Sequence, residues 1–316
     1  YILSPYLTDL SLGIIIAFIP TVLIMAYFHG KPGKDKWTRI EKIGIPINLV
    51  AGITILSIMF YPKDLGAATQ TIIIENEEGK REKRIVPKSG FIKSVAFFPF
   101  KNNIANKNLG WISQGLSQGV SCDLNQEIFI YSSEDRVEKK LKDKGFLNKG
   151  TAPISLKRSI AKDAFLEYFF DGSIELNDKN EFVVTSNLYT TEDGKLQISR
   201  TFINEDIFNL IDEISVQLRY DLGIPTGHIE SSVDLPINEM LTNSLEAFQN
   251  FSKGISHNLL GEFGLGIPYL EKAIKIDNTF AMAYMVLQGA YVMTNQGSKR
   301  MAAIESCMEH MYKLPE

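Results

Sequence analysis

Two long uncharged stretches dominate the N-terminal part of the chain. They are Leu10–Phe28 and Ile43–Tyr61, and neither contains Asp, Glu, Lys or Arg. Each is 19 residues long. At about 1.5 Å rise per residue, a helix of that length nearly spans the ~30 Å hydrocarbon core of a bilayer. A core helix of a soluble domain would keep a polar face, which both stretches lack. The pattern predicts two transmembrane helices within residues 1–61.

The residues between these stretches form a short basic loop. Lys and Arg in short loops favour the cytoplasmic side of a membrane, whereas the segment after the second stretch holds only Lys63 before Lys80. We therefore expect the rest of the chain, and also Tyr1, to lie outside the cytoplasm. A second basic cluster, from Lys80 to Lys93, leaves the opposite topology open. The residues that favour the first topology are Lys31, Lys34, Lys36, Arg39 and Lys42.

Beyond residue 61, strand-like and helix-like segments alternate. Residues 62–90 are typical of a polar connector followed by a small β-hairpin. Residues 91–223 contain apolar runs and amphipathic runs in the order β-α-β-α-α-β-β-β-α, which predicts an α/β domain with helices packed on a mixed sheet. The expected strands are Ile92–Phe100, Glu127–Tyr131, Phe165–Leu176, Glu181–Thr190 and Lys195–Ile203. The expected helices are Leu109–Leu124, Glu134–Lys144, Ile154–Lys162 and Asp206–Leu222.

The spacing of apolar residues also predicts helices in the last part of the chain. Residues 224–238 contain Pro and Gly and are predicted to be a linker, and residues 239–316 follow as an all-α segment. Paired helices with a period of about 34 residues are typical of helical repeats. Because about three repeats are usually needed for stability and two are visible, we expect the array to continue beyond Glu316. The expected helices are Asn243–Ile255, Phe263–Ile276, Thr279–Thr294 and Ser298–Lys313.

Composition and charge narrow the possible functions. The 316 residues carry a net charge of −4, which argues against a nucleic-acid partner because such partners require a basic surface. The sequence contains no phosphate-binding loop, dinucleotide fingerprint, nucleophile elbow or metal-ligand spacing. It therefore predicts no catalytic, cofactor-binding or metal-binding residue and identifies no small-molecule substrate.

Residues 91–223 resemble the TolB N-terminal-like domain, a family related to CsgG and FlgO. The resemblance is carried by the run SVAFFPF, by Gly115–Leu116 in the following helix, by Asp171–Gly172–Ser173 and by the turn at Asp193–Gly194–Lys195. In this family the element that corresponds to Asp171–Gly172–Ser173 opens a hairpin, and the element that corresponds to SVAFFPF is usually a shorter aliphatic strand. The resemblance implies the α/β fold of the family and a role in assembly, sensing or scaffolding in the bacterial cell envelope.

Residues 239–316 resemble tetratricopeptide repeats. In such repeats small residues let the two helices of a unit approach, and large residues fill the space between units. Gln288 stands where a small residue is expected. The repeat-packing positions that the resemblance implies are Gly254, Gly266 and Ala273 in one unit and Tyr284, Leu287, Tyr291, Ala303 and Pro315 in the next, the last two with about three residues inserted before them.

Two functions fit these features. The first is a membrane-anchored, non-enzymatic interaction or scaffold subunit in the bacterial inner membrane. Its periplasmic TolB-like domain and repeats would bind a protein partner in or near the membrane within a larger complex. The second is the extracytoplasmic sensory half of an adenylate cyclase, kinase or transcription regulator whose output domain would precede Tyr1. An enzyme within the chain itself is the least supported interpretation, since no catalytic constellation is visible.

Overall fold

The structure is a computed structural model that describes residues 2–29, 37–75, 79–147 and 152–314. It divides into two compact units, Tyr1–Phe91 with Gly223–Ser231, and Ile92–Leu222 with Ser232–Glu316. The C-terminal helices, expected as a separate domain from residue 239, therefore share one unit with the α/β domain.

Two long helices make up most of the first unit. Helix α1 spans Tyr6–Phe28 and α2 spans Arg39–Phe60, and both are long and apolar enough to cross a membrane. Helix α2 begins at Arg39 rather than Ile43 because Thr38 and Glu41 form a capping box ahead of the uncharged stretch. Of the predicted topology residues, Arg39 and Lys42 lie at the start of α2 with exposed side chains, and the remaining three lie outside the described residues: Lys31, Lys34 and Lys36.

Small side chains allow α1 and α2 to approach closely. A Cβ atom at Gly52 would lie 3.2 Å from the Cβ of Ala17. Beside this contact, the side-chain amide of Asn48 donates to the carbonyl oxygen of Ala17 at 2.8 Å and to Oγ1 of Thr21 at 2.9 Å. The two helices therefore form a packed hairpin with a polar bridge between them.

Backbone hydrogen bonds join the start of α1 to the segment after α2. The N–H of Ala68 donates to the carbonyl oxygen of Ile2 at 2.8 Å, and the N–H of Ser4 donates to that of Gly66 at 3.1 Å. These two ends of the helical hairpin therefore lie on the same side. The β-hairpin expected within residues 62–90 follows, with antiparallel strands β1 at Thr69–Glu75 and β2 at Arg81–Pro87.

A mixed six-stranded sheet forms the centre of the second unit. Its strands are β3 (Lys93–Phe97), β4 (Lys101–Asn102), β5 (Ile130–Ser132), β6 (Tyr168–Leu176), β7 (Phe182–Thr190) and β8 (Leu196–Asn204). The helices between and after them are α3 (Ile112–Leu124), α4 (Glu134–Asp143), α5 (Ile154–Asp163) and α6 (Ile207–Asp221). The strand order is β5-β3-β6-β7-β8, with β3 parallel to both neighbours and β6, β7 and β8 forming an antiparallel meander. Apart from the short β4, this order of elements is the one expected.

The central strand is interrupted where one continuous run through Phe100 was expected. Pro99 has no N–H for the ladder, so β3 ends before it and β4 resumes parallel pairing with β6. The buried ring of Phe100 lies against Gly172 in β6, where any Cβ would collide with that ring and with the facing strand. Asp171, Gly172 and Ser173 lie within β6, the first strand of the β6–β7 hairpin, and the turn comes after them, as expected.

The segment expected as a linker contains two short helices. Its second part, from residue 232, is held by contacts to α6: Arg219 pairs with Asp234 at 2.7 Å, and the N–H of Ile237 donates to Asp212 at 2.8 Å. The helices of the C-terminal part, the first of which belongs to the first unit, are α7 (Thr226–Ser231), α8 (Ile237–Met240), α9 (Leu245–Leu259), α10 (Phe263–Ile276), α11 (Ala281–Met293) and α12 (Gly297–Glu309).

Candidate functional site

Helices α9 to α12 pack against one another in chain order. Because short connections join them, successive helices run antiparallel. Two predicted repeat-packing residues meet where α9 and α10 cross. A Cβ at Gly254 would lie 2.6 Å from Cγ of Leu270, and a Cβ at Gly266 would lie 2.9 Å from the carbonyl oxygen of Gly254. The crossing therefore depends on the absence of both side chains.

The other predicted repeat-packing residues occupy different environments. Tyr284 is half-buried and Pro315 lies outside the described residues. The hydroxyl of Tyr291 donates to Glu271 on α10 at 2.7 Å, which ties α11 to its neighbour. The buried members of the set are Ala273, Leu287, Tyr291 and Ala303.

Helix α9 is docked on the α/β domain through aromatic and polar contacts. The ring of Phe248 lies 5.7 Å from that of Trp111 and 5.5 Å from that of Phe208. One turn further along α9, the hydroxyl of Ser252 donates to the side-chain oxygen of Gln118 at 2.6 Å. We call these contacts the α3–α9 seam, since Trp111 and Gln118 belong to the start and the body of α3. The seam explains why the C-terminal helices share a unit with the sheet.

A carboxyl group is buried beside the α3–α9 seam. Glu138 on α4 is only 4% exposed, and one of its oxygens accepts hydrogen bonds from the amides of Gln114 and Gln118. Within the described part of the chain its other oxygen has no hydrogen-bond partner. Burial raises the pKa of Glu138 to about 7, because the two amide donors offset only part of the lost hydration.

A second buried polar cluster joins α3 and α6 to the segment that leads into α8. Arg219 lies 3.5 Å from Asp123 as well as pairing with Asp234, and the hydroxyl of Ser215 donates to Asp123. Burial raises the pKa of Asp123 to about 7. Each charged group here interacts with another residue of the cluster. The cluster therefore fixes the path of the chain towards α9.

A cavity of about 460 Å³ opens at the carboxyl end of β3. Strand β3 lies between β5 and β6. The chain passes from β3 to β5 on one side of β3 and then from β5 to β6 on its other side, so the order in which strands are added to the sheet reverses at β3. In open α/β sheets, ligands bind at such a reversal. We call this cavity the switch-point pocket. Its walls include Phe98, Pro99, Trp111, Gln114, Leu141 and Lys157.

A buried ion pair stands in the wall of the switch-point pocket. Lys157 on α5 is 5% exposed and Asp171 on β6 is 6% exposed, and the ammonium of Lys157 donates to the carboxylate. The amide of Asn187 on β7 donates to the other carboxylate oxygen at 3.3 Å. The sequence-based prediction gave Lys157 no role. The available signal was its spacing with Ile160 and Ala161, which places a lysine on the buried face of α5.

Helices α11 and α12 expose apolar side chains at intervals of two turns. On α12, Met301 is 54% exposed and Met308 is 67% exposed, with Ile304 half-buried between them. Residues at this spacing share one side of a helix, and we call these three residues the α12 apolar face. On α11, Met285 and Val292 have the same spacing and are also exposed.

Metal ligands do not converge in the part of the chain that the structure describes. No group of three His, Cys, Asp or Glu side chains there could hold an ion. The geometry therefore offers two candidate sites, the α12 apolar face and the switch-point pocket.

No protein-family model matches the chain, and no curated protein matches it. The chain is weakly similar to several solved structures. They include the LpoB C-terminal domain from Salmonella enterica (13% identity, TM-score 0.30, 36% of this chain and 83% of that one), TolB from Acinetobacter baumannii (19%, 0.32, 50% and 32%) and a lipoprotein from Neisseria meningitidis (13%, 0.28, 42% and 98%). The chain thus spans about a third of that TolB. The assignment of α9–α12 to the tetratricopeptide family stays a prediction.

Proposed function

We propose that this protein is a membrane-anchored, non-enzymatic interaction subunit of the bacterial cell envelope, and that it binds a protein partner through its α/β domain and C-terminal helices. The α12 apolar face is the observation that supports this proposal most directly. Exposed apolar clusters on a soluble unit are typical of protein-binding surfaces, and flexible methionine side chains adapt well to a partner.

The α3–α9 seam adds to this proposal. Because aromatic rings and buried hydrogen bonds connect α9 to α3, the C-terminal helices are packed on the α/β domain and not joined to it by a flexible linker alone. A fixed surface loses less conformational entropy on binding than a mobile one. Such an arrangement suits a subunit that presents one face to a protein partner.

Photo-crosslinking tests the partner surface. The photoreactive residue p-benzoylphenylalanine is placed at Met301 or at Met308 in the full chain, and intact cells are irradiated. We expect an adduct of the same defined size from both positions. Val233 is a matched control, because it is an exposed apolar residue, 87% accessible, outside α11 and α12. Adducts of equal yield from Val233, or none from either α12 position, would contradict the proposal.

We also propose that the membrane is the inner membrane and that the soluble parts lie in the periplasm. The basic loop supports this topology. The hydrogen bonds between the start of α1 and the segment after α2 support the placement of these two ends on the same side of the membrane. In a background with Cys122 and Cys307 replaced by Ser, an impermeant maleimide should label Glu78→Cys and spare Lys34→Cys in intact spheroplasts. Labelling of Lys34→Cys would overturn the topology.

A further inference from the structure

The switch-point pocket has the size and position of a ligand site. Its volume of about 460 Å³ falls within the range of roughly 300–1,000 Å³ that is usual for small-molecule pockets. It lies at the carboxyl end of β3, where the break at Pro99 separates the central strand from its continuation in β4. Its location therefore follows from the sheet topology and not from a loose surface loop.

The pocket presents positive charge. Lys157 is among its lining residues, and Asp171, its partner in the buried ion pair, is not. Lys107 adds a second cation at an exposed position of the lining. Among the described lining residues there is no carboxylate. Two acidic groups outside the lining are bonded to lining residues: Asp171 to Lys157, and Glu138 to the side-chain amide of Gln114.

Most other polar groups of the lining are occupied by the protein itself. The hydroxyl of Ser113 donates to the carbonyl oxygen of Phe100. Asn102 donates to the carbonyl oxygen of Leu109 at 3.0 Å and accepts from the N–H of Ile104 at 2.8 Å. A lysine ammonium has three donor hydrogens, and Lys157 directs one of them to Asp171. Lys157 is thus the buried donor with capacity left for a ligand.

The rest of the wall is apolar. Phe98 is fully buried, Leu141 is 3% exposed, and Phe146 and Leu147 are half-buried. A pocket that combines apolar walls with one buried cation suits a ligand that combines an apolar body with one anionic head.

We infer that the switch-point pocket binds a carboxylate carried on an apolar body, with the carboxylate on the ammonium of Lys157 and the body against Phe98 and Leu141. A free organic acid and the C-terminus of a peptide with an apolar last residue share this chemistry. The inference is independent of the α12 apolar face, since no residue of that face lines the pocket.

Trp111 provides a local probe for this inference. It lines the pocket and is one of two tryptophans in the chain, so Trp37→Phe leaves it as the only indole. The full chain in lipid nanodiscs is titrated with 4-phenylbutyrate and with the neutral isostere 4-phenylbutyramide, and Trp111 fluorescence is followed. We expect the acid to bind at least tenfold more tightly than the amide. Equal affinities would overturn the inference.

Variants of the ion pair test the role assigned to Lys157. In Lys157→Met/Asp171→Leu both charges are removed together, so that no buried charge is left unpaired. We expect this variant to lose at least tenfold in affinity for the acid and to keep its affinity for the amide, whereas Lys157→Arg, which keeps the cation, stays within threefold of the parent. Lys195→Gln, on the exposed β7–β8 turn, is the control and should bind like the parent.

Two further outcomes decide the inference. If the double variant binds the acid as tightly as the parent, Lys157 is not the anchor and the inference fails. If the double variant does not fold, the comparison of acid with amide in Lys157→Arg decides in its place. Acetyl-Leu-Phe separates the two sources: tighter binding than 4-phenylbutyrate assigns the carboxylate to a peptide terminus, and weaker binding assigns it to a free acid.

Discussion

Gly254 and Gly266 face each other where α9 and α10 cross. A side chain at either position would collide with the backbone of the other residue. A Cβ at Gly254 would lie 3.3 Å from the carbonyl oxygen of Gly266, and a Cβ at Gly266 would lie 2.9 Å from that of Gly254. A backbone oxygen within a helix cannot move away as the end of a flexible side chain can. The spacing of this helix pair therefore rests on two glycines, each in the interior of a helix.

Replacing Gly266 by Ala should destabilise the protein. Overpacking at a close contact costs about 1–3 kcal/mol, and the better helix propensity of Ala returns up to about 1 kcal/mol. For Gly266→Ala we expect the free energy of unfolding to fall by about 1–2 kcal/mol. Urea unfolding of the full chain in detergent micelles, followed by circular dichroism, measures this change.

Gly289 supplies the matched control, because it lies inside α11 and a Cβ there would have no atom within 4 Å. Gly289→Ala should raise the free energy of unfolding by about 0.5–1 kcal/mol through helix propensity alone. A loss of stability in both variants would contradict this account, because a loss at Gly289 could not come from the close contact between α9 and α10.

Elements with a strong local pattern could be predicted from the sequence almost residue for residue. Helix α10 spans Phe263–Ile276 as expected, and β7 begins at Phe182 where Glu181 was expected. Their periodicities of about 3.6 and 2 residues are complete within each segment. Strand β5 was less well predicted, because the backbone at Glu127 forms a turn and pairing with β3 begins at Ile130.

The switch-point pocket could not be predicted in this way. It depends on β3 lying between β5 and β6, and the order of strands in a sheet cannot be predicted from the apolar and polar residues of any one strand. It also depends on Lys157 meeting Asp171 across two elements. The same limit applies to the end of the predicted linker, where Arg219 of α6 pairs with Asp234 and Asp212 accepts a hydrogen bond from Ile237.

Glu138 should make the stability of the protein depend on pH. Burial raises its pKa from 4.5 to about 7 in the folded state, so folding favours the protonated form. The stabilisation that it contributes is fully present below about pH 4.5 and is lost as the pH rises towards 7. We expect Glu138→Gln, which cannot ionise, to be more stable than the parent at pH 8, by at most about 3 kcal/mol, and to approach the parent at pH 5.

Comparison with the parent isolates this effect. Burial also raises the pKa of Asp123 to about 7 and that of Asp212 to about 6, so both parent and variant lose stability as the pH rises. Thermal unfolding at a series of pH values gives the difference between the two proteins. A difference that does not change between pH 5 and pH 8 would mean that Glu138 ionises as freely in the folded chain as in the unfolded one.

Lys157 and Asp171 should be strongly coupled. Removing one member of a buried ion pair leaves an uncompensated charge and costs about 3–5 kcal/mol, whereas replacing both with apolar residues is often nearly neutral. We therefore expect Lys157→Met to be strongly destabilised and Lys157→Met/Asp171→Leu to recover most of that loss. Urea unfolding of both variants in micelles measures the coupling.

An exposed pair provides the scale for this prediction. Lys195 and Asp193 pair at 2.7 Å on the β7–β8 turn with side chains 75% and 41% exposed. A solvent-exposed pair contributes little to stability, so Lys195→Met should leave the free energy of unfolding almost unchanged. A Lys157→Met variant that is no less stable than Lys195→Met would contradict the prediction, because it would show that losing its partner leaves no uncompensated buried charge at Asp171.

The contact between Ala17 and Gly52 should allow a disulfide between α1 and α2 within the membrane hairpin. A Cβ at Gly52 would lie 3.2 Å from that of Ala17, near the roughly 3.5–4.5 Å that a disulfide requires. In a background with Cys122 and Cys307 replaced by Ser, we expect Ala17→Cys/Gly52→Cys to cross-link within one chain when membranes are treated with copper phenanthroline.

Ile16→Cys/Ile53→Cys is the control, because both of these side chains are exposed on the hairpin, at 57% and 64%. Electrophoresis after cleavage within residues 30–36 shows whether the two halves remain joined. Equal cross-linking of both pairs would mean that the helices do not hold one packed face against each other, and loss of the Ala17→Cys/Gly52→Cys bridge on adding Asn48→Leu would assign the choice of face to the polar bridge.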